Sequence, residues 1–188
     1  MSSSGFNKFV RESDNVLYTD NSLKTISTLD IDQITEIAKK SDRRRARICA
    51  HRNKTDSLHS MFIALCNDTY VRPHKHIKKP ETFHVVKGRM KIVIFEDYGR
   101  VKDVIKLGNY LSKTGFFYRL DGDEYHTVIP LSEFVVFHES TTGPFRRENT
   151  LYAEWSPEES DKVGCKHFMN WISDSTIGDI PIYRDEEK

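Results

Sequence analysis

Long apolar runs are missing from this chain of 188 residues; the longest without interruption is the six residues from Met61 to Cys66. A membrane-spanning helix needs about 20, so no such segment is expected. Charge of one sign is missing too. With 29 Lys and Arg against 28 Asp and Glu, the formal net charge is +1, and no global field draws the chain to nucleic acid. Cysteine is scarce: Cys49, Cys66 and Cys165 are scattered and odd in number, which fits free buried thiols in a reducing cytoplasm. The opening MSSSGFNKFVRESDN has no apolar core segment and no signal-peptide layout. No repeat of 20–50 residues and no low-complexity tract is visible. Neither a Gly-rich phosphate loop nor a nucleophile elbow occurs, so a triad hydrolase is not arguable.

What is present is a 37% hydrophobic, 11% aromatic composition, enough for one domain with a core. Residues 1–25 are polar and read as a flexible N-terminal segment. In TLDIDQITEIAKKSD, Asp30 with Gln33 reads as a capping box, and Ile31, Ile34, Ile37 and Ala38 share a helical face. From Arg45 to about Trp155 the pattern becomes some ten short β-like runs divided by turn signals, which implies a sandwich or barrel. MKIVIFEDYGRVKDVIKL is the clearest hairpin. The domain is read as 26–159, and residues 160–188 as an extension packed on or near it.

The chemistry gathers in RPHKHIKKPETFHVVKG, residues 72 to 88. Strand side chains alternate faces, so His74 and His76 point the same way. Glu81 starts the next run, Gly88 closes it at a tight turn, and His126 opens a distant run. If those strands are neighbours in a closed barrel, three imidazoles and a carboxylate converge. A mixed N/O set suits Fe, Mn, Zn, Ni or Cu without choosing among them.

The spacing His74-x-His76-x4-Glu81-x6-Gly88, followed by Gly115 and His126, resembles the two cupin motifs. Asp68 stands where the first motif has its leading glycine. Asp121, Asp123 and Pro130 stand where the second usually has proline, glycine and asparagine. The phrases YVRPHKHIKKPETFHVVKG, FYRLDGDEYHTVIPLSEFVVFHESTTGPF and AEWSPEE are similar to WbuC-type cupin-fold metalloproteins, small bacterial proteins often encoded with O-antigen and other surface-polysaccharide genes. The resemblance implies a mainly β fold: a single cupin barrel, a jelly-roll double-stranded β-helix. The short N-terminal helix and a C-terminal tail wrapping the domain are read from the residues themselves. The resemblance further implies one bound divalent transition metal ion. It also implies a homodimer, cupins commonly pairing through strand edges.

Other residues are candidates around that centre. Tyr118, Tyr125 and His138 are candidates for catalysis. Arg47 and Arg72 could anchor an anionic substrate, since guanidinium forks grip anions bidentately. His84 falls three positions past Glu81, on the opposite strand face, and is a substrate or supporting candidate. Three functions are open. One is a metal-dependent cupin acting on a small carbohydrate-related molecule, a sugar or sugar nucleotide, of surface-polysaccharide synthesis. Another is a metal-independent sugar-nucleotide isomerase or epimerase with histidines as acid and base. The third is a non-catalytic sugar- or metal-sensing module. No nucleic acid or membrane is expected as a partner.

Overall fold

A computed structural model describes residues 9–19 and 24–181. Ser27 ends an extended approach and caps the helix α1 (Thr28–Lys40), its side chain accepting from the Asp30 amide while the Asp30 carboxylate accepts from the Ser27 amide at 2.6 Å. The capping box is therefore Ser27–Asp30, three residues before the Asp30–Gln33 pair expected from the sequence. Ile31, Ile34 and Ala38 are buried along one face, with Ile37 partly buried beside them.

The described residues contain twelve strands: β1 (Phe9–Ser13), β2 (Val16–Thr19), β3 (Arg45–Cys49), β4 (Leu58–Cys66), β5 (His74–His76), β6 (Glu81–Lys87), β7 (Arg89–Phe95), β8 (Val101–Gly108), β9 (Phe117–Leu120), β10 (Tyr125–Pro130), β11 (Phe134–Thr142) and β12 (Thr150–Tyr152). They form a seven-stranded sheet, β1-β2-β3-β4-β11-β6-β9, and a five-stranded sheet, β12-β5-β10-β7-β8. The 1–25 segment is not simply a loose arm. Phe9–Thr19 forms an antiparallel pair, and β2 runs parallel to β3; the rest of that segment apart from Lys24 and Thr25 lies outside the described residues.

The two sheets face each other as a jelly-roll double-stranded β-helix. Between them lies a core to which Leu65, Phe83, Val85, Val135 and Phe137 come from one sheet and Met90, Ile92, Ile94 and Val128 from the other. The outer faces are covered as well. α1 packs over Ala46, Ile48, Ala64 and Val136 of the larger sheet. A second helix, α2 (Lys162–Asp174), buries Phe168 and Ile172 against Val93, Phe95, Val101 and Ile129 of the smaller one. β7 is thus buried on both faces beyond its first residue, and apolar there except for Lys91, the expected pattern for a strand covered twice. Gly88 makes the β6–β7 turn at φ +81°, and a Cβ there would lie 2.4 Å from the Phe134 carbonyl, so the closing glycine is required sterically.

Candidate metal centre

β5 is only three residues long and is held between two partners, with His74 opposite His126 of β10 on one side and opposite Tyr152 of β12 on the other. Alternation turns His74 and His76 into the barrel and sends Lys75 outward, where it pairs with Asp97 at 2.8 Å and lies 4.4 Å from the Tyr125 ring centre. One nitrogen from each of His74, His76 and His126 falls within 4.8 Å of the others. Glu81 arrives from the opposite sheet, its oxygens 3.0 Å from His126 Nε2 and 3.6 Å from His76 Nε2.

The ring orientations show which nitrogens face inward. His74 Nδ1 lies 2.8 Å from the Arg72 carbonyl and His126 Nδ1 lies 3.0 Å from the Glu124 carbonyl. A carbonyl only accepts, so both Nδ1 atoms carry the proton, and in the neutral ring each Nε2 presents a lone pair. His76 Nδ1 is engaged by Thr150 Oγ1 at 3.1 Å. His126 Nε2 and Glu81 Oε1 are buried without a well-directed hydrogen bond although they are 3.0 Å apart. A nitrogen lone pair facing a carboxylate oxygen is repulsive unless a proton or a cation sits between them. Backbone-oriented imidazoles with free Nε2 atoms are the usual preparation for metal binding.

Electrostatics agrees. Burial pushes His74 down to about 3 and His76 down to about 4, so both are neutral donors at neutral pH. Burial opposes the charge on Glu81, yet the histidines, His126 foremost, hold it below the usual carboxylate range. Burial likewise opposes protonation of His126, but the Glu81 carboxylate overrides it and favours the charged ring. A buried carboxylate held ionised beside three imidazoles fits a divalent transition ion, and the donor set leaves its identity open.

The cluster lines a cavity of about 450 Å³. Of the other sequence candidates, Arg47 and Arg72 line it, but they differ. Arg72 is engaged, donating to Ser156 Oγ at 3.2 Å and the Ala153 carbonyl at 3.2 Å, and lying over the Tyr152 ring. Arg47 Nε is buried without a hydrogen-bond partner.

Three candidates face elsewhere. His84 is exposed on the outer face of β6 against Phe116, because it is odd-numbered from Glu81. His138 is on that same outer face, opposite His84 and within 2.7 Å of Ser60 Oγ. Tyr125 points out of the barrel toward Trp155 and Lys75. None of the three lines the cavity. Tyr118 faces inward but is packed in the core against Phe83, and burial drives its hydroxyl far up.

Two cavity residues were missed by the sequence reading. Glu139 is the inward neighbour of His138 on β11, and burial together with the Glu81 charge pushes it up to about 7. The signal was available: Val135, Phe137 and Glu139 share one face at period two. Lys79 sits in the β5–β6 loop with no such periodicity to reveal it.

Residues 26–107 match a family model described as a domain of unknown function, DUF6016, which is less than half of the chain. No curated protein matches the sequence. Among solved structures, a Shewanella oneidensis protein superposes with a TM-score of 0.52 at 9% identity, over 66% of this chain and 84% of that one. A Klebsiella pneumoniae protein with a double-stranded β-helix domain gives 0.46 at 14% identity, over 61% of this chain and 88% of that one. Oxalate decarboxylase from Bacillus subtilis gives 0.46 at 18% identity, over 72% of this chain but only 35% of the decarboxylase. At such identities the likeness is one of fold. This chain is a mainly β protein whose two facing sheets form a double-stranded β-helix, with a three-histidine cluster inside it.

Proposed function

We propose that the protein is a metal-dependent cupin acting on a small molecule held in the barrel, with His74, His76, His126 and Glu81 as the ligands. The observation that carries this reading is the convergence of three oriented imidazoles on a buried, ionised carboxylate, the nearest approach being 3.0 Å between His126 Nε2 and Glu81 Oε1, where a proton or a cation must lie. When bound, such an ion supplies Lewis acidity toward a carbonyl or hydroxyl, or activates water or dioxygen. The chain's own residues do the rest. Glu124 and Arg72 carbonyls orient the rings, and the covered sheets exclude bulk water.

The carbohydrate-related substrate is the finer part of the proposal. A cavity of about 450 Å³ suits a small molecule. Its wall mixes Thr141, Thr150 and Tyr152 with Ile63, Leu65 and Val71, a surface able to meet hydroxyls and a carbon skeleton together. A role in surface-polysaccharide synthesis rests on the sequence resemblance.

The test is elemental analysis of protein purified without added metal. We expect about one equivalent of a transition ion in the wild type and its loss in His126→Ala, His76→Ala and Glu81→Ala, with the fold retained by circular dichroism. Full metal occupancy in folded His126→Ala would refute the assignment. Sugar-nucleotide turnover that survives chelation would instead favour a metal-independent isomerase.

A further inference from the structure

Cations that line the cavity are mostly spoken for. Arg43 and Arg45 share Glu159 at 2.5 and 3.1 Å, Lys54 pairs with Glu12 at 2.8 Å, and Arg72 has the contacts given above. Two are not. Among the described residues neither Arg47 nor Lys79 forms an ion pair or a side-chain hydrogen bond, and Arg47 Nε is fully shielded. Both line the cavity and are only partly exposed. Holding a half-buried cation without a partner is unfavourable. Such a cost concentrates where a ligand supplies the missing charge.

Their placement relative to the metal centre follows from the strands. Lys79 lies two residues before Glu81, and its charge is felt at His76. Arg47 stands opposite Ile63, which in turn stands opposite Phe137 on β11. That is two strand spacings, about 10 Å, from the strand carrying Glu139, a gap an arginine side chain can largely bridge. Glu139 feels both cations and also His126 and Glu81. It shares the cavity wall with the basic pair and with the ligands.

We propose that Arg47 and Lys79 form an anion-binding pair beside the metal centre, and that the molecule handled in this barrel carries a carboxylate or phosphate group. This rests on the reading of the cavity as the place of action. Two cations face Glu139 and no other uncommitted carboxylate of the cavity wall, since Glu81 belongs to the histidines and Glu159 to Arg43 and Arg45. One further negative group balances the pair. Arg47 offers a fork that matches either anion, and Lys79 offers a point charge. An anionic group fixed there sets the remainder of the molecule toward the histidines.

Isothermal titration with inorganic phosphate and with malonate tests this, with glucose as the neutral control, on wild type, Arg47→Gln and Lys79→Gln. Wild type should bind at least one anion, and each variant should bind it about tenfold more weakly, the usual loss for a hydrogen bond to a charged group. Preference for phosphate or for malonate identifies the group. Should Arg47→Gln fail to fold, Lys79→Gln decides alone, since it sits in a loop. Absence of binding by both anions, or equal affinity in the folded variants, overturns the proposal. Repeating the titration on protein stripped with EDTA separates the two readings. Anion binding that depends on Lys79 in a protein that never holds metal keeps the basic pair and removes the metal assignment. Full metal occupancy with anion affinity indifferent to Arg47 and Lys79 does the reverse.

Discussion

His51 and His59 stack face to face, ring centres 4.1 Å apart, and both are buried. Burial lowers the pKa of each below the ordinary histidine value. Arg47 and Lys24 add to that at His51, and His51 and Lys79 at His59, while Asp56 opposes it at both. The unfolded chain then binds protons more readily than the folded one, so the pair's contribution is intact above about pH 6.5 and is lost as pH falls below it. Thermal midpoints of wild type and His51→Gln, measured from pH 7.5 to 5, should converge toward acid, with the wild type falling faster. Parallel curves would show that the stacked pair does not titrate as its burial demands. Gly143 packs so closely on this pair that a Cβ there would lie 2.8 Å from the His59 ring and 1.8 Å from the Asp56 carbonyl, so Gly143→Ala should reduce stability strongly in the same assay.

At the scale of elements, α2 is fastened to the barrel by an unexpected group. Lys91 projects from the outer face of β7 and is 3% exposed. Its ammonium donates to the carbonyls of Ile172 at 2.6 Å and Ser173 at 2.8 Å, which belong to the last turn of the helix, where the dipole and the unpaired carbonyls favour a cation. Lys91→Met should cost about 2 kcal/mol and raise amide exchange in 162–174 first, with the metal content of the barrel unchanged. Uniform loss of protection across both sheets would contradict this local role. The same scale shows where periodicity misleads. Ser27-x-x-Asp30 and Asp30-x-x-Gln33 both satisfy the capping pattern, and only the backbone turning into helix at Thr28 selects the first. The edge pairing of β1 and β2 was illegible for a different reason. FVRES and VLYT are only five and four residues long, too short to show a period inside a polar segment, and β2 gains order from its parallel neighbour β3.

For the whole molecule, the proposed ligands come from both sheets, Glu81 from the seven-stranded and the three histidines from the five-stranded. An ion held by all four ties the sheets together, and it binds the folded state alone. At a free ion concentration of a hundred dissociation constants it would add about 2.7 kcal/mol. Chelation should therefore lower the thermal midpoint by about 5–10 °C, with no change in His126→Ala. A midpoint indifferent to EDTA in metal-loaded wild type would count against a site shared between the sheets.

The sequence alone determined the strand-rich architecture and that His74 and His76 share a face, because alternation and turn residues are local properties; the approach of Glu81 and His126 to them waited on which strands became neighbours. It determined as well that Gly88 closes a turn. Tertiary structure alone decided the rest. Sheet closure brought Arg47, Lys79 and Glu139 into one chamber with the histidines, and the existing ion pairs of Arg43, Arg45 and Lys54 left Arg47 and Lys79 as its uncommitted cations. Such facts depend on which strand lies beside which and on which charges already have partners, and a linear order of residues does not carry either.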